Sequence, residues 1–195
     1  MSNVDPLLLD LPEQIVTERL TISPPLPGDG VSVNRAIAES FAELNAWMPW
    51  AATMPSVEDS ERFVRDAAAK YLRRVDLPLF LRERSSGEFI GASGLHRIDW
   101  SVPRFEIGYW CRTSRVGRGY VTEAVVAITR FAFDVLRAER IEIRCDTANT
   151  RSWRIAERLG FTLEGVLKHD TRTPQGELRD TRVYALTEPA ALTAP

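Results

Sequence analysis

Apolar residues recur along the chain with two periods, and each change of period marks an element. Thr17 to Ser23 alternates apolar and polar side chains, as a strand with one buried face does. Asp29 then stands where it can cap an amphipathic helix that a 3.6-residue spacing carries to about Leu44. Trp47-Met48-Pro49-Trp50 interrupts that spacing and reads as a loop. Ser56-Val57-Glu58-Asp59 has the spacing of a capping box and opens a charged amphipathic helix running to about Arg74. Period two returns at Leu77 to Arg84 and Phe89 to Ile98, on either side of the turn Ser85-Ser86-Gly87-Glu88, and again at Arg104 to Cys111. These three strands predict an antiparallel meander.

Beyond Cys111 the residues Val121, Ala124, Val125, Ile128, Phe131, Ala132 and Leu136 share one helical face, which predicts a helix from Tyr120 to Leu136. A strand follows at Arg140 to Asp146. Strand, helix and strand in this order predict a right-handed crossover between parallel strands at 104–111 and 140–146. Asn149 or Thr150 is placed to cap a short helix that Gly160 stops after Leu159. The chain then closes on a hairpin, 161–170 and 177–187, turning at Pro174-Gln175-Gly176. The fold class is a mixed α/β (α+β) sheet.

Composition narrows the function. With 195 residues, 44% hydrophobic and 27% charged, the chain suits one globular domain with a full core. A net charge of −2 provides no general attraction for nucleic acid or an anionic membrane, so an anion site has to be built locally. The two cysteines, Cys111 and Cys145, and two histidines form neither a disulfide framework nor a metal-ligand spacing. No metal, nucleic acid or membrane is expected. The N-terminus lacks the basic start and apolar run of a secretory signal, and no stretch reaches transmembrane length; the expected location is the cytoplasm.

The segment from Glu106 to Ala124 joins a strand, a basic glycine loop and a helix. Gly117 and Gly119 let the backbone curl so that successive N–H groups and the helix start point at one spot, an arrangement that favours a phosphate or pyrophosphate. Arg112, Arg115 and Arg118 add positive charge. The plainer alternative is a tight turn using glycine for its conformation alone. A P-loop would need Gly-Lys-Ser/Thr after four intervening residues, which is missing, and a dinucleotide fingerprint would need Gly or Ala where Thr122 stands.

From Val16 to Glu188 the chain resembles the GNAT superfamily of N-acetyltransferases, and within it the ribosomal-protein alanine N-acetyltransferases. The resemblance lies in Thr17-Glu18-Arg19-Leu20, Trp47-Met48-Pro49-Trp50, Glu106-Ile107-Gly108-Tyr109-Trp110, Gly117 to Ala124, Asn149-Thr150-Arg151-Ser152 and Leu159 to Gly165. It sets an acetyltransferase domain at 16–188, between an N-terminal extension (1–15) and a C-terminal tail (189–195). The superfamily's acetyl-CoA loop, Gln/Arg-x-x-Gly-x-Gly/Ala, falls on Val116, Gly119 and Val121, so both outer positions depart from it. The resemblance implies splayed parallel strands, with acetyl-CoA held by Tyr109, Trp110, Cys111 and Arg112 through the backbone and by Val116, Gly117, Arg118, Gly119, Tyr120, Val121 and Thr122 at its pyrophosphate. Asn149 and Ser152 complete the cofactor set.

Direct transfer needs a neutral amine and a protonated leaving thiolate. An α-amino group, with an ordinary pKa of about 7.7–8.0, asks less of a base than a lysine does. Glu106 matches the general base of related histone acetyltransferases, with a sheet-face salt bridge as its alternative role; Ser152 matches a thiolate proton donor, with a helix cap as its alternative. The ribosomal-protein group has a glutamate where Thr171 stands, which leaves Asp170 or His169 to assist the amine. Trp47, Trp50 and His96 are candidate acceptor contacts, or simply core and structural residues. The expected acceptor is an amine, foremost the N-terminus of a ribosomal or other protein, taken by a monomer or homodimer. A small amine (polyamine, amino sugar, antibiotic) and a CoA-binding module without turnover stay open.

Overall fold

A computed structural model describes residues 5–173 and 175–193. Its strands are β1 (Ile15–Val16), β2 (Leu20–Ser23), β3 (Leu77–Glu83), β4 (Phe89–Asp99), β5 (Arg104–Cys111), β6 (Arg140–Asp146), β7 (Thr162–Arg172) and β8 (Leu178–Leu186). Its helices are α1 (Gly30–Glu39), α2 (Phe41–Trp47), α3 (Val57–Leu72), α4 (Tyr120–Asp134) and α5 (Thr150–Arg158). The strands form one mixed sheet in the order β1-β2-β3-β4-β5-β6-β8-β7. The meander β3-β4-β5 is antiparallel and β5 pairs with β6 in parallel through the α4 crossover, as the periodicity predicts.

Period-two alternation divides the core between the two faces of the sheet. Leu77, Leu79 and Leu81 of β3 join Ala124, Val125, Ile128 and Phe131 of α4 on one face, together with Ala156 of α5. Phe80, between them in sequence, joins Val33, Ala36 and Ile37 of α1 and Val64 of α3 on the other. The terminal segments add to the first of these clusters: Leu9, Leu11, Ile15 and Leu192 all pack against it.

Three local expectations fail, two of them for a tertiary reason and one at a backbone turn. The helix expected from Asp29 to Leu44 is two helices, α1 and α2, broken at buried Ser40, whose Oγ accepts the Thr113 N–H at 2.9 Å. Asp29 makes no side-chain cap; its carboxylate accepts the Leu26 N–H and pairs with Arg82 at 2.5 Å. Helix α4 ends at Asp134 instead of Leu136, because Arg137 takes the left-handed conformation (φ 57°) and turns the chain toward β6 while Leu136 stays buried. The capping box on α3 is present with both of its hydrogen bonds. Pro174 of the expected hairpin turn lies outside the described residues. Among the described residues no helix is long and apolar enough to cross a membrane.

The break at Ser40 belongs to an ion cluster that holds the loop after β5. Glu39 pairs with Arg112 through Oε2 and accepts the Ser114 N–H through Oε1 at 2.8 Å, and Glu88 pairs with both Arg112 and Arg115. Hydrogen bonding from Arg112, more than burial opposes, lowers the Glu39 pKa to about 2 from an ordinary 4.5. Its contribution to stability is therefore complete above about pH 4.5 and vanishes as the pH falls toward 2. Glu39→Gln should cost about 2 kcal/mol near neutral pH and flatten the loss of stability across that acidic window, measured by urea unfolding at a series of pH values. An acid limb identical to that of the parent protein would refute the clamp.

Candidate functional site

Strands β5 and β6 pair at only three positions, Arg104 with Arg140, Phe105 with Ile141 and Glu106 with Glu142. Beyond them β5 stays with β4 as far as Cys111, and β6 stays with β8 as far as Asp146. The sheet is thus split from within. The Arg112 N–H donates to the Ile90 C=O, so the alternation of the ladder turns the main-chain groups of Tyr109 and Cys111 toward the split.

The split opens into a cleft of about 650 Å³ that Trp47, Trp50, His96, Glu106, Tyr109, Trp110, Asn149, Ser152 and Asp170 all line. Nine residues singled out along the sequence for chemistry thus meet in one place. His169 is not part of that lining, whereas Thr171 is. The hairpin β7–β8 closes one side of the cleft: Arg179 donates from Nη2 to the Trp47 C=O at 3.1 Å, and Gln175 donates to Asn45 at 3.1 Å. On the helical side Trp50 and Trp110 lie with ring centroids 6.2 Å apart, beside Phe63, Phe80 and Ile37.

Glu106 lies largely inside the sheet, its Oε2 3.4 Å from Arg97 Nε and 3.9 Å from Arg144 Nε without a hydrogen bond to either. Burial raises its pKa, against the pull of Arg97, Arg144 and His96. A carboxylate with one oxygen desolvated and without a hydrogen bond is chemically able to accept a proton. The salt-bridge alternative is only loosely realised here. At the other wall the Tyr109 hydroxyl donates to the Ser152 C=O at 2.9 Å and accepts from Ser152 Oγ at 3.2 Å. Burial drives the Tyr109 pKa well up, so this phenol keeps its proton at neutral pH. Asn149 Oδ1 caps α5 by accepting the Ser152 N–H at 3.2 Å, and thereby orients the serine.

Cys111, Arg112, Val116, Gly117, Arg118, Gly119, Tyr120, Val121 and Thr122 lie outside that lining, at the end of β5, in the loop after it and in the first turn of α4. Gly117 (φ 79°) and Gly119 (φ 81°) both need the left-handed conformation, and α4 starts with no side-chain cap, so its first N–H groups are free. These features suit an anion. The expected charge is largely consumed: Arg112 and Arg115 are committed to Glu39, Glu88 and Glu83, and Arg118 stands in no ion pair among the described residues. Tyr120 and Thr122 turn their side chains inward, Tyr120 donating to Glu83 at 2.5 Å, which leaves only their amides for a ligand.

Sequence reasoning missed Asp76, Arg97, Arg144, Cys145 and Arg179. Cys145 follows Ile141 and Ile143 at period two on β6, a signal that placed it on the face of a buried strand. Burial raises its thiol to about 11, against a hydrogen bond with Ser152. Asp76, Arg144 and Arg179 act through pairings between separate elements, and Arg97 meets Glu106 across the β4–β5 hairpin; no local pattern reports these.

Residues 19–162 match a family model described as an acetyltransferase (GNAT) domain. The ribosomal-protein-serine acetyltransferase of Escherichia coli (strain K12) is 26% identical over 159 residues, 78% of this chain and 88% of that protein. The crystal structure of the microcin C7 self-immunity acetyltransferase MccE in complex with acetyl-CoA and AMP is 25% identical with a TM-score of 0.83, covering 88% of this chain and 94% of that one. RimL, a ribosomal L7/L12 alpha-N-protein acetyltransferase solved in complex with coenzyme A, shares the fold at a TM-score of 0.84 and 23% identity, over 91% of this chain and 99% of that one.

At Gly119 any side chain is strained by φ 81° and meets Arg19, and a carboxylate there would also oppose an anion at the uncapped helix start. Gly119→Glu should weaken coenzyme A binding by about tenfold or more in calorimetry, well beyond Gly119→Ala. Equal affinities for the two variants would place the anion elsewhere.

Proposed function

The chain belongs to the GNAT acetyltransferase family, and from that premise we propose that it moves the acetyl group of acetyl-CoA directly to the α-amino terminus of a protein or peptide. The observation that carries this reading is the split sheet, with an unsatisfied carboxylate on one wall and a protonated hydroxyl pair on the other. Acetyl-CoA is the co-substrate of the enzyme. The exposed main-chain edge at Tyr109 and Cys111 and the free amides at the start of α4 fit its pantetheine amides and its pyrophosphate. Its thioester supplies the activated acetyl group.

The protein's own residues then have separable tasks. Glu106 takes a proton from the acceptor ammonium through a water, which an α-amino group concedes near neutral pH. A main-chain N–H near Tyr109 to Cys111 polarises the carbonyl. The Ser152 hydroxyl, held by its hydrogen bond to the Tyr109 hydroxyl, gives its proton to the departing sulfur and takes the second proton of the acceptor nitrogen in exchange. Trp47, Trp50, His96 and Asp170 border the acceptor.

The acids of the cleft argue against a polycationic acceptor. Asp146 lies 3.5 Å from Arg179, Asp170 is bonded by Arg144 at 3.2 Å, and Asp59 pairs with Arg62. The apolar and aromatic wall suits the first residues of a polypeptide, and the similar E. coli protein carries a ribosomal-protein acceptor in its name. A second reading, a small amine bearing a planar group, draws on the Trp50–Trp110 pair and on the AMP in the MccE complex. Incubation with acetyl-CoA and separate panels of N-terminal peptides and small amines, read by mass for one added acetyl group, decides between them. Modification confined to small amines would remove the peptide reading, and cofactor binding without any product would leave a module that does not turn over.

Glu106→Gln should lower kcat by about 100-fold with acetyl-CoA affinity retained. Because Glu106 must be ionised to act and its pKa is raised, kcat/KM should climb with pH through that ionisation, and the variant should lose this limb. An unchanged profile would remove Glu106 as the base.

A further inference from the structure

Transfer to an ammonium releases two protons, of which one ends on the thiol of coenzyme A and the other has to leave the cleft. Glu106 is poorly placed to export it, since its side chain is only 18% exposed and Oε2 has no hydrogen-bond partner. His96 is its cross-strand partner on β4, so the two side chains rise side by side from the same face. The imidazole lies against Gly108: a Cβ on that glycine would fall 3.2 Å from Cδ2 and 3.4 Å from Nε2. Gly108 follows Glu106 at period two, and the missing side chain is what lets the ring settle beside the carboxylate.

The other ring nitrogen is fixed. Nδ1 stands 2.7 Å from the Asp76 carboxylate, which accepts but cannot donate, so the neutral ring carries its proton on Nδ1 and its lone pair on Nε2. Nε2 makes no hydrogen bond among the described residues, and the side chain is 35% exposed, about twice as open as Glu106. Five other charged groups bear on the pair. Arg97 and Arg144 face Glu106, Glu142 is its neighbour on β6 and opposes its charge, Asp170 binds Arg144, and Lys70 of α3 acts on Asp76.

Building on the acetyl-transfer reading, we propose that His96, oriented by Asp76, is the outlet through which Glu106 discharges the proton of the acceptor. The amine proton passes to the Glu106 carboxylate, from the resulting acid to Nε2 of His96, and from the imidazolium to solvent. Both side chains finish in the state in which they began. Asp76 is a positioning residue that fixes the ring orientation and the tautomer in which Nε2 of the neutral imidazole carries the lone pair.

The test uses the full chain with an acceptor that the unmodified protein acetylates. His96→Ala should lose about tenfold or more in kcat at saturating substrates with the KM for acetyl-CoA unchanged, and added imidazole should restore much of that loss. Asp76→Asn, a milder change should His96→Ala fail to fold, should lower kcat and displace the acidic limb of the pH profile. Parental kcat in His96→Ala across the pH range overturns the outlet, as does a deficit that imidazole leaves untouched while His96→Gln repairs it. An active parent with an equally active His96→Ala defeats this proposal alone, whereas a parent that acetylates nothing defeats the transfer reading and this one with it.

Discussion

Backbone hydrogen bonding that stops halfway along a strand pair is the constraint on which the remainder of this molecule depends. β5 and β6 share three paired positions and then follow different partners, β5 keeping to β4 and β6 to β8. Each strand is satisfied on its outer side and bare on its inner one. An open edge inside a sheet demands either water or a ligand that hydrogen-bonds like a strand. The crossover that makes the two strands parallel also delivers the start of α4 to the loop after β5, so the bare edge and the free helix amides arise from one topological fact.

Charge is distributed to hold this geometry more than to attract a ligand. Arg112 and Arg115, the obvious anion binders by position, are tied to Glu39, Glu88 and Glu83, and Glu39 with Ser40 also takes the N–H groups of Ser114 and Thr113. The loop is thereby anchored to the junction of α1 and α2, and α2 ends at Trp47, whose carbonyl binds Arg179 of the hairpin. One chain of contacts runs from the loop after β5 to the β7–β8 hairpin. What this loop leaves uncommitted is the Arg118 guanidinium, in no ion pair among the described residues, and the backbone dipoles at the start of α4, which need no net positive charge.

Much of this was legible in one sequence. The strand boundaries of β5 and β6, the capping box at Ser56 and the glycine pair at 117 and 119 are set by neighbours a few residues away, and local period reports such things well. The break at Ser40 was illegible because its cause, the Thr113 N–H, is 73 residues distant. The same holds for Asp29, whose carboxylate suits a cap yet answers to Arg82, and for Asp76, an ordinary acid in a loop until the fold sets it against His96. For Arg112 the pattern showed the sign of the charge but not its partners, Glu39 and Glu88.

The two walls of the cleft separate opposite proton affinities. On the β5 side, burial leaves the Glu106 carboxylate short of hydrogen bonds and raises its pKa. On the α5 side the Tyr109 and Ser152 hydroxyls are satisfied by each other and by the Ser152 carbonyl, and burial holds the phenol protonated. Glu106 and Tyr109 belong to one strand but are three residues apart, so the pleat directs them to opposite faces. A continuous sheet would fill the space between these faces with the next strand. Only where pairing with β6 has ended do the two faces communicate through an open gap, and there a group short of hydrogen bonds on one side lies across from a protonated hydroxyl pair on the other, the separation on which the proposed proton transfers rest.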